Sequence, residues 1–156
     1  MKISPHHSIE RAVLWFPAYQ KKYMLTQKQI QNICEEIKKD PYVVAILLTG
    51  SYVYGTPSEK SDLDIRMIVK EKEYERAHWD DLMRFGVRIE AFYNTIETIE
   101  DYMEKARKKE GPPNVIHFWA HGKIVFDPQN EAKKLQEKAR ELWKLGSYKG
   151  KWENIK

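Results

Sequence analysis

Hydrophobic positions change their period several times along the chain, and each change marks an element. Ile30, Ile33, Cys34 and Ile37 recur at steps of three and four residues, the stripe of an amphipathic helix over 26–39. Thr26 and Gln29 form a capping-box pattern at its start, and Asp40–Pro41 ends it. Residues 42–48 are continuously apolar and partly β-branched, which predicts a strand buried on both faces. From Asp62 to Val69 the period becomes two. Leu63, Ile65, Met67 and Val69 take one face, and Asp62, Asp64, Arg66 and Ile68 take the other. The same alternation in Val87, Ile89, Ala91 and Tyr93 predicts a third strand. Between these two strands, 71–84 is charged, with Tyr74, Ala77, Leu82 and Phe85 as its apolar side. It reads as a solvated surface helix that Gly86 closes.

A helix is expected from Thr95 or Thr98 to about Lys108, with Ile99, Tyr102, Met103 and Ala106 inward, broken by Gly111, Pro112 and Pro113. A short helix over 115–120 and a short strand over 123–126 follow. Asp127 and Pro128 read as the cap and first position of a last helix. Its stripe is Ala132, Leu135, Ala139, Leu142 and Trp143, and Gly146 ends it. This order predicts an α/β (α+β) domain over 26–146, a small mixed β-sheet with helices packed on it. An aromatic-rich N-terminal arm or extension, 1–25, precedes it, and a basic tail, 147–156, follows.

Length and charge add boundaries. A chain of 156 residues suits one domain with a real core. Its net charge of +4 is too mild to point to an acidic partner. Cys34 is the single cysteine and lies on an apolar helix stripe. No intrachain disulfide can form, and a reducing, cytoplasmic setting is expected. No apolar run approaches the ~18 residues that cross a bilayer, so no membrane partner is expected.

The chemistry concentrates in 49–69, TGSYVYGTPSEKSDLDIRMIV. Glycine at the end of a buried strand lets backbone approach a ligand closely, and Ser51 is the expected N-cap of a short helix through Tyr54. Free N–H groups and the Ser51 hydroxyl there suit the outer phosphates of a nucleotide. Asp62 and Asp64 project from one strand face, roughly 7 Å apart along the backbone. Carboxylates so placed can share Mg²⁺ ions, and two-metal phosphoryl-transfer sites hold their ions about 3.5–4 Å apart. Glu90 is the candidate third carboxylate, provided its strand neighbours the aspartate strand. It would activate an attacking hydroxyl or ligate the second metal.

Gly50–Ser51, ten residues, Asp62–Leu63–Asp64–Ile65 and a carboxylate on a later strand resemble the DNA polymerase beta-type nucleotidyltransferase superfamily. The likeness is greatest to its minimal and aminoglycoside-nucleotidylating branch. It is sharp over 46–69, looser to Phe126, and absent from the first 25 residues. The resemblance implies the nucleotidyltransferase fold and an Mg²⁺-dependent transfer of a nucleoside monophosphate from an NTP, such as ATP, to an acceptor hydroxyl. It implies catalytic and metal-binding roles for Asp62, Asp64 and Glu90, and triphosphate binding by Gly50 and Ser51. Minimal members often carry an arginine just after the Gly–Ser pair. Here Tyr52–Val53–Tyr54 follow it, so the triphosphate grip falls to Lys60, Arg66 or Arg88.

Two other functions fit the same residues. One is an antitoxin-like protein that binds a small helical partner, as minimal nucleotidyltransferases often do. The other is a degenerate domain that binds a nucleotide without turnover. With no separate substrate domain in view, the acceptor, a small molecule or a protein, would meet the N-terminal arm, the last helix, a second copy or a partner protein. His117 and His121 stand four apart with no third ligand nearby. Packing or solvent is their expected role, with base stacking or acceptor shaping as the alternative for His121. Tyr52 and Tyr54 begin so close to the phosphate turn that one should line the pocket.

Overall fold

Val43–Thr49 carries no charged side chain, and it becomes strand β1, flanked by neighbours on both sides of the sheet. The computed structural model describes residues 24–146, with backbone alone for 77–83. The basic tail and all but the last two residues of the N-terminal arm lie outside the described residues. The elements in order are α1 (Gln27–Ile37), β1, α2 (Ser51–Tyr54), β2 (Leu63–Val69), a 3₁₀ turn (Lys72–Tyr74) and β3 (Arg76–Arg84). Then come β4 (Val87–Asn94), α3 (Ile96–Arg107), α4 (Asn114–His121), β5 (Lys123–Phe126) and α5 (Glu131–Leu145). The five strands form one mixed sheet in the order β3-β4-β2-β1-β5. β2 and β4 run parallel, and the other neighbours are antiparallel.

Strand alternation divides the core into two layers. Ile46, Leu48, Leu63, Ile65, Met67, Ile89 and Ala91 pack beneath Ile30, Ile33 and Cys34 of α1. On the other face, Ala45, Leu47 and Ile68 meet α3, α4 and α5 through Ile99, Met103, Ile116, Trp119, Ala132, Leu135 and Ala139. The capping box of α1 forms as expected, with Gln29 N–H donating to Thr26 Oγ1 at 3.1 Å and Thr26 N–H to Gln29 Oε1 at 2.9 Å. Gln136 of α5 is buried, and its Nε2 donates to the Trp119 and Gly122 carbonyls at 3.0 and 2.8 Å. Arg140 Nε donates to the Ala120 carbonyl at 3.1 Å. These bonds satisfy the open carbonyls at the end of α4 and tie it to α5.

Three expectations need correction. Residues 71–84 are not a helix. After one 3₁₀ turn they form β3, paired antiparallel with β4 from Arg76↔Tyr93 to Arg84↔Val87. The hairpin closes through Phe85 and Gly86, whose φ values of 52° and 75° are the positive pair that a tight two-residue hairpin turn demands. Gly86 therefore ends a strand rather than a helix. The N-cap of α2 is Gly50, at φ 81° and ψ −165°, and Ser51 is the first helical residue. Finally, α5 starts at Glu131 behind Asn130, not at Pro128. Asp127 still caps it from a distance, its carboxylate accepting from the Ala132 and Lys133 amides at 3.0 and 2.9 Å.

Phe85 holds a left-handed conformation with its side chain 53% exposed, so it has backbone strain and little packing to offset it. Phe85→Asn should raise stability by about 1 kcal/mol in chemical denaturation, because asparagine tolerates this region. An unchanged or lower midpoint would show that the turn is not strained.

Candidate active site

At one end of the sheet, register brings three side chains into a row. Thr49 of β1 pairs with Asp64 of β2, and Asp64 pairs with Glu90 of β4. The next row inward is Leu47, Arg66 and Phe92. Both rows lie on the face covered by α3, α4 and α5, which leave the acid row half-buried. The expected adjacency of the two acidic strands is present, and Glu90 hydrogen-bonds to Asp64.

That contact sets the electrostatics. Burial pushes the Asp64 carboxyl up to about 7, and the hydrogen bond and charge of Glu90 push the same way. Arg66 opposes them, and Asp62 adds a smaller push. Arg88 forms an ion pair with Glu90 at 3.4 Å. The Arg66 guanidinium lies between the rings of Phe92 and Phe118, with centroids at 4.6 and 4.1 Å, and burial lowers its pKa to about 10. Its Nε is buried without a hydrogen-bond partner, as is the hydroxyl of Thr49 beside Asp64. Buried polar atoms are normally satisfied, so two such orphans beside an acid pair mark a place built for a ligand.

Gly50 shapes the same spot from the backbone. A Cβ built on it would strike Oδ2 of Asp64 and lie 3.2 Å from its Cγ. Only glycine allows both this approach and the backbone angles at the turn. Ser51 follows directly. Of the two tyrosines expected near the pocket, Tyr52 turns away: it packs on the α1-side core, and its hydroxyl accepts from the Leu25 amide at 3.1 Å. Tyr54 faces the site, within electrostatic reach of Asp64 and Arg66.

The remaining candidates are less closely joined. Asp62 sits one residue before β2. Lys60 is exposed in the 58–61 turn, its amide donating to Ser58 Oγ at 3.2 Å. Among the described residues, no group of three or more His, Cys, Asp and Glu side chains is arranged to hold a metal ion. The assembled core is the Asp64–Glu90 pair. Its oxygens, with the Thr49 hydroxyl left over, are the donor type that Mg²⁺ prefers, so the residues present fit a hard divalent cation.

Comparisons with known proteins place the fold in a family. The nucleotidyltransferase domain family matches residues 28–142, which span every strand and both sides of the acid row. The chain belongs to that family. A nucleotidyltransferase-like protein from Exiguobacterium sibiricum 255-15 shares the fold, with a TM-score of 0.52 and 12% identity. The match covers 72% of this chain and 38% of that one, so this chain spans well under half of that protein's length. The toxin-antitoxin MntA-HepT has a TM-score of 0.46 at 12% identity, covering 83% of this chain and 95% of that one. A toxin-antitoxin with AMP-PNP scores 0.45 at 13% identity, covering 84% and 95%. No curated protein matches the sequence. No helix among the described residues is long and apolar enough to cross a membrane.

Sequence reasoning missed the ring cluster around the site, formed by Tyr54, His117, Phe118, His121 and Trp143. The four-residue spacing of the histidines was the available signal.

The raised Asp64 pKa has a consequence for stability. In the folded metal-free protein this carboxyl keeps its proton up to about pH 7, whereas in the unfolded chain it releases it near the ordinary value of 3.8. Stability from this group is therefore complete below about pH 4 and lost as the pH rises through about 7. Asp64→Asn should be more stable than the wild type at pH 8 and converge with it only toward pH 4, measured by urea denaturation in EDTA. Parallel profiles would show that Asp64 titrates normally.

Proposed function

We propose that the chain, within 26–146, is an Mg²⁺-dependent nucleotidyltransferase that moves a nucleoside monophosphate from an NTP to an acceptor hydroxyl. The observation that carries this reading is the contact between the glycine turn and the acid pair. Gly50 lies against Asp64, and Asp64 hydrogen-bonds Glu90. One short stretch thus offers a phosphate turn and carboxylates to the same small space.

In this reading Asp64 and Glu90, together with Asp62, would hold two Mg²⁺ ions. The bound metal neutralises triphosphate charge and favours in-line displacement. The Gly50–Ser51 backbone and the Ser51 hydroxyl hold the outer phosphates. Arg66 contributes a fixed positive charge from beneath. Arg88 engages Glu90, and Lys60 reaches in from its loop as the third phosphate-binding cation. The acceptor oxygen bonds to the α-phosphorus, the bond to the β-phosphate bridge breaks, pyrophosphate leaves, and Glu90 takes the acceptor proton. The hydroxyl belongs to a small molecule or a protein, presented by a second copy of the chain or by a small helical partner. The buried thiol of Cys34 fits a reducing, cytoplasmic setting.

A second reading, nucleotide binding without turnover, is favoured by one observation: the three carboxylates do not draw together into a metal-holding group among the described residues. Calorimetric titration of the four NTPs with Mg²⁺ tests both readings. The wild type should bind at least one NTP, and binding should fall more than ten-fold in EDTA and vanish in Asp62→Ala/Asp64→Ala. No binding by a folded wild type would leave only the fold. Binding without pyrophosphate release, across a panel of hydroxyl acceptors, would favour the second reading.

Gly50→Ala offers an independent check. It should abolish NTP binding, and the backbone strain alone should cost about 1–3 kcal/mol of stability. Retained affinity would show that the phosphates do not approach this turn.

A further inference from the structure

A row of rings leads away from the acid pair. Tyr54 ends α2, three residues after Ser51, and its amide donates to the Gly50 carbonyl at 3.3 Å. Its ring meets His117 of α4 edge-on, with centroids 5.1 Å apart and planes at 79°. His117 lies 4.7 Å from His121, and His121 lies 5.0 Å from Trp143 of α5. Tyr54 is 41% exposed, and His121 is exposed as well.

Tyr54 and His121 both lie at the surface, outside the two buried core layers. His121 is held in place all the same, its Nδ1 lying 3.1 Å from the His117 carbonyl. The row is anchored at one end to the candidate phosphate turn and continues along a helix that α5 fixes through Gln136 and Arg140. Burial and the neighbouring His121 lower the pKa of His117, which favours its neutral ring. A nucleotide has the matching layout: phosphates at one end, a flat ring one sugar away at the other.

We propose that Tyr54 and His121, backed by His117, form the ledge on which the nucleobase lies. This rests on the reading of the acid row as a nucleotide site. With the phosphates at Gly50–Ser51 and the α-phosphate at Asp64, the base extends along α4. A purine covers more of the ledge than a pyrimidine does.

The test compares a ligand that has a ring with one that has none. Mg²⁺-ATP, Mg²⁺-CTP and Mg²⁺-tripolyphosphate are titrated into the wild type, Tyr54→Leu, His121→Ala and His121→Phe. The wild type should bind ATP more tightly than CTP, and both more tightly than tripolyphosphate. Tyr54→Leu and His121→Ala should each weaken ATP by about ten-fold and leave tripolyphosphate within about two-fold. His121→Phe, which keeps a ring, should retain most of the ATP affinity. Equal wild-type affinity for ATP and tripolyphosphate would overturn the ledge while leaving the phosphate site intact. So would folded Tyr54→Leu and His121→Ala variants with unchanged ATP binding. Failure of the wild type to bind any of the three would overturn the nucleotide-site reading and the ledge with it.

Discussion

The parallel pairing of β2 with β4 is the constraint from which the site follows. It sets Asp64 directly beside Glu90. Parallel neighbours cannot be joined by a tight turn, so the chain needs a crossover between them. Here the crossover is a 3₁₀ turn and the edge strand β3, which passes beyond β4 and returns through the Phe85–Gly86 hairpin. The distance from Val69 to Val87 is thus given over to bringing two carboxylates side by side.

Such a pair opposes folding. Burial and the neighbouring Glu90 both disfavour the charged form of Asp64, a cost that a bound cation would offset. The orphaned Thr49 hydroxyl and Arg66 Nε are unfavourable in the same way. The surrounding structure overrides them: Ile46, Leu63, Ile65 and Ile68 are fully buried around these positions, and α1 and α3–α5 close both faces. The strain is confined to one end of a well-packed sheet, where a ligand can relieve it.

Much of this was legible from the chain. The two faces of β2 and β4 separate where alternation said they would, because one packs under α1 and the other carries Asp64, Arg66 and Glu90. The capping box at Thr26 and the proline-bounded helices read correctly, since local backbone chemistry decides them. The strand β3 did not. Its charged residues show no clean alternation, and its hairpin turn is Phe–Gly rather than a sequence typical of such turns. Only pairing with β4 makes it a strand, and that is a tertiary fact. The start of α5 was misplaced for a related reason: Asp127 caps it across a left-handed Asn130 instead of from the next position. At the site, spacing paired Asp62 with Asp64, and Glu90 stood as a third candidate only if its strand lay next to theirs, which the pairing of β2 with β4 provides. Spacing could not place Arg66 between two rings, because Phe118 arrives from a helix fifty-two residues later. Nor could it show that Tyr54, rather than Tyr52, turns toward the acids.

The buried amide of Gln136 has a wider consequence. One side chain of α5 holds the final carbonyls of α4, and α4 carries Phe118, His117 and His121. The floor under Arg66 and the rim of the pocket therefore belong to one lever, pinned beside Phe118 and His121 by a residue of the next helix. Drift at that pin would tilt the rim relative to the acids while the sheet stayed unmoved. Relatives of this chain could thus change what they accept through the last helix, far from any group that does chemistry.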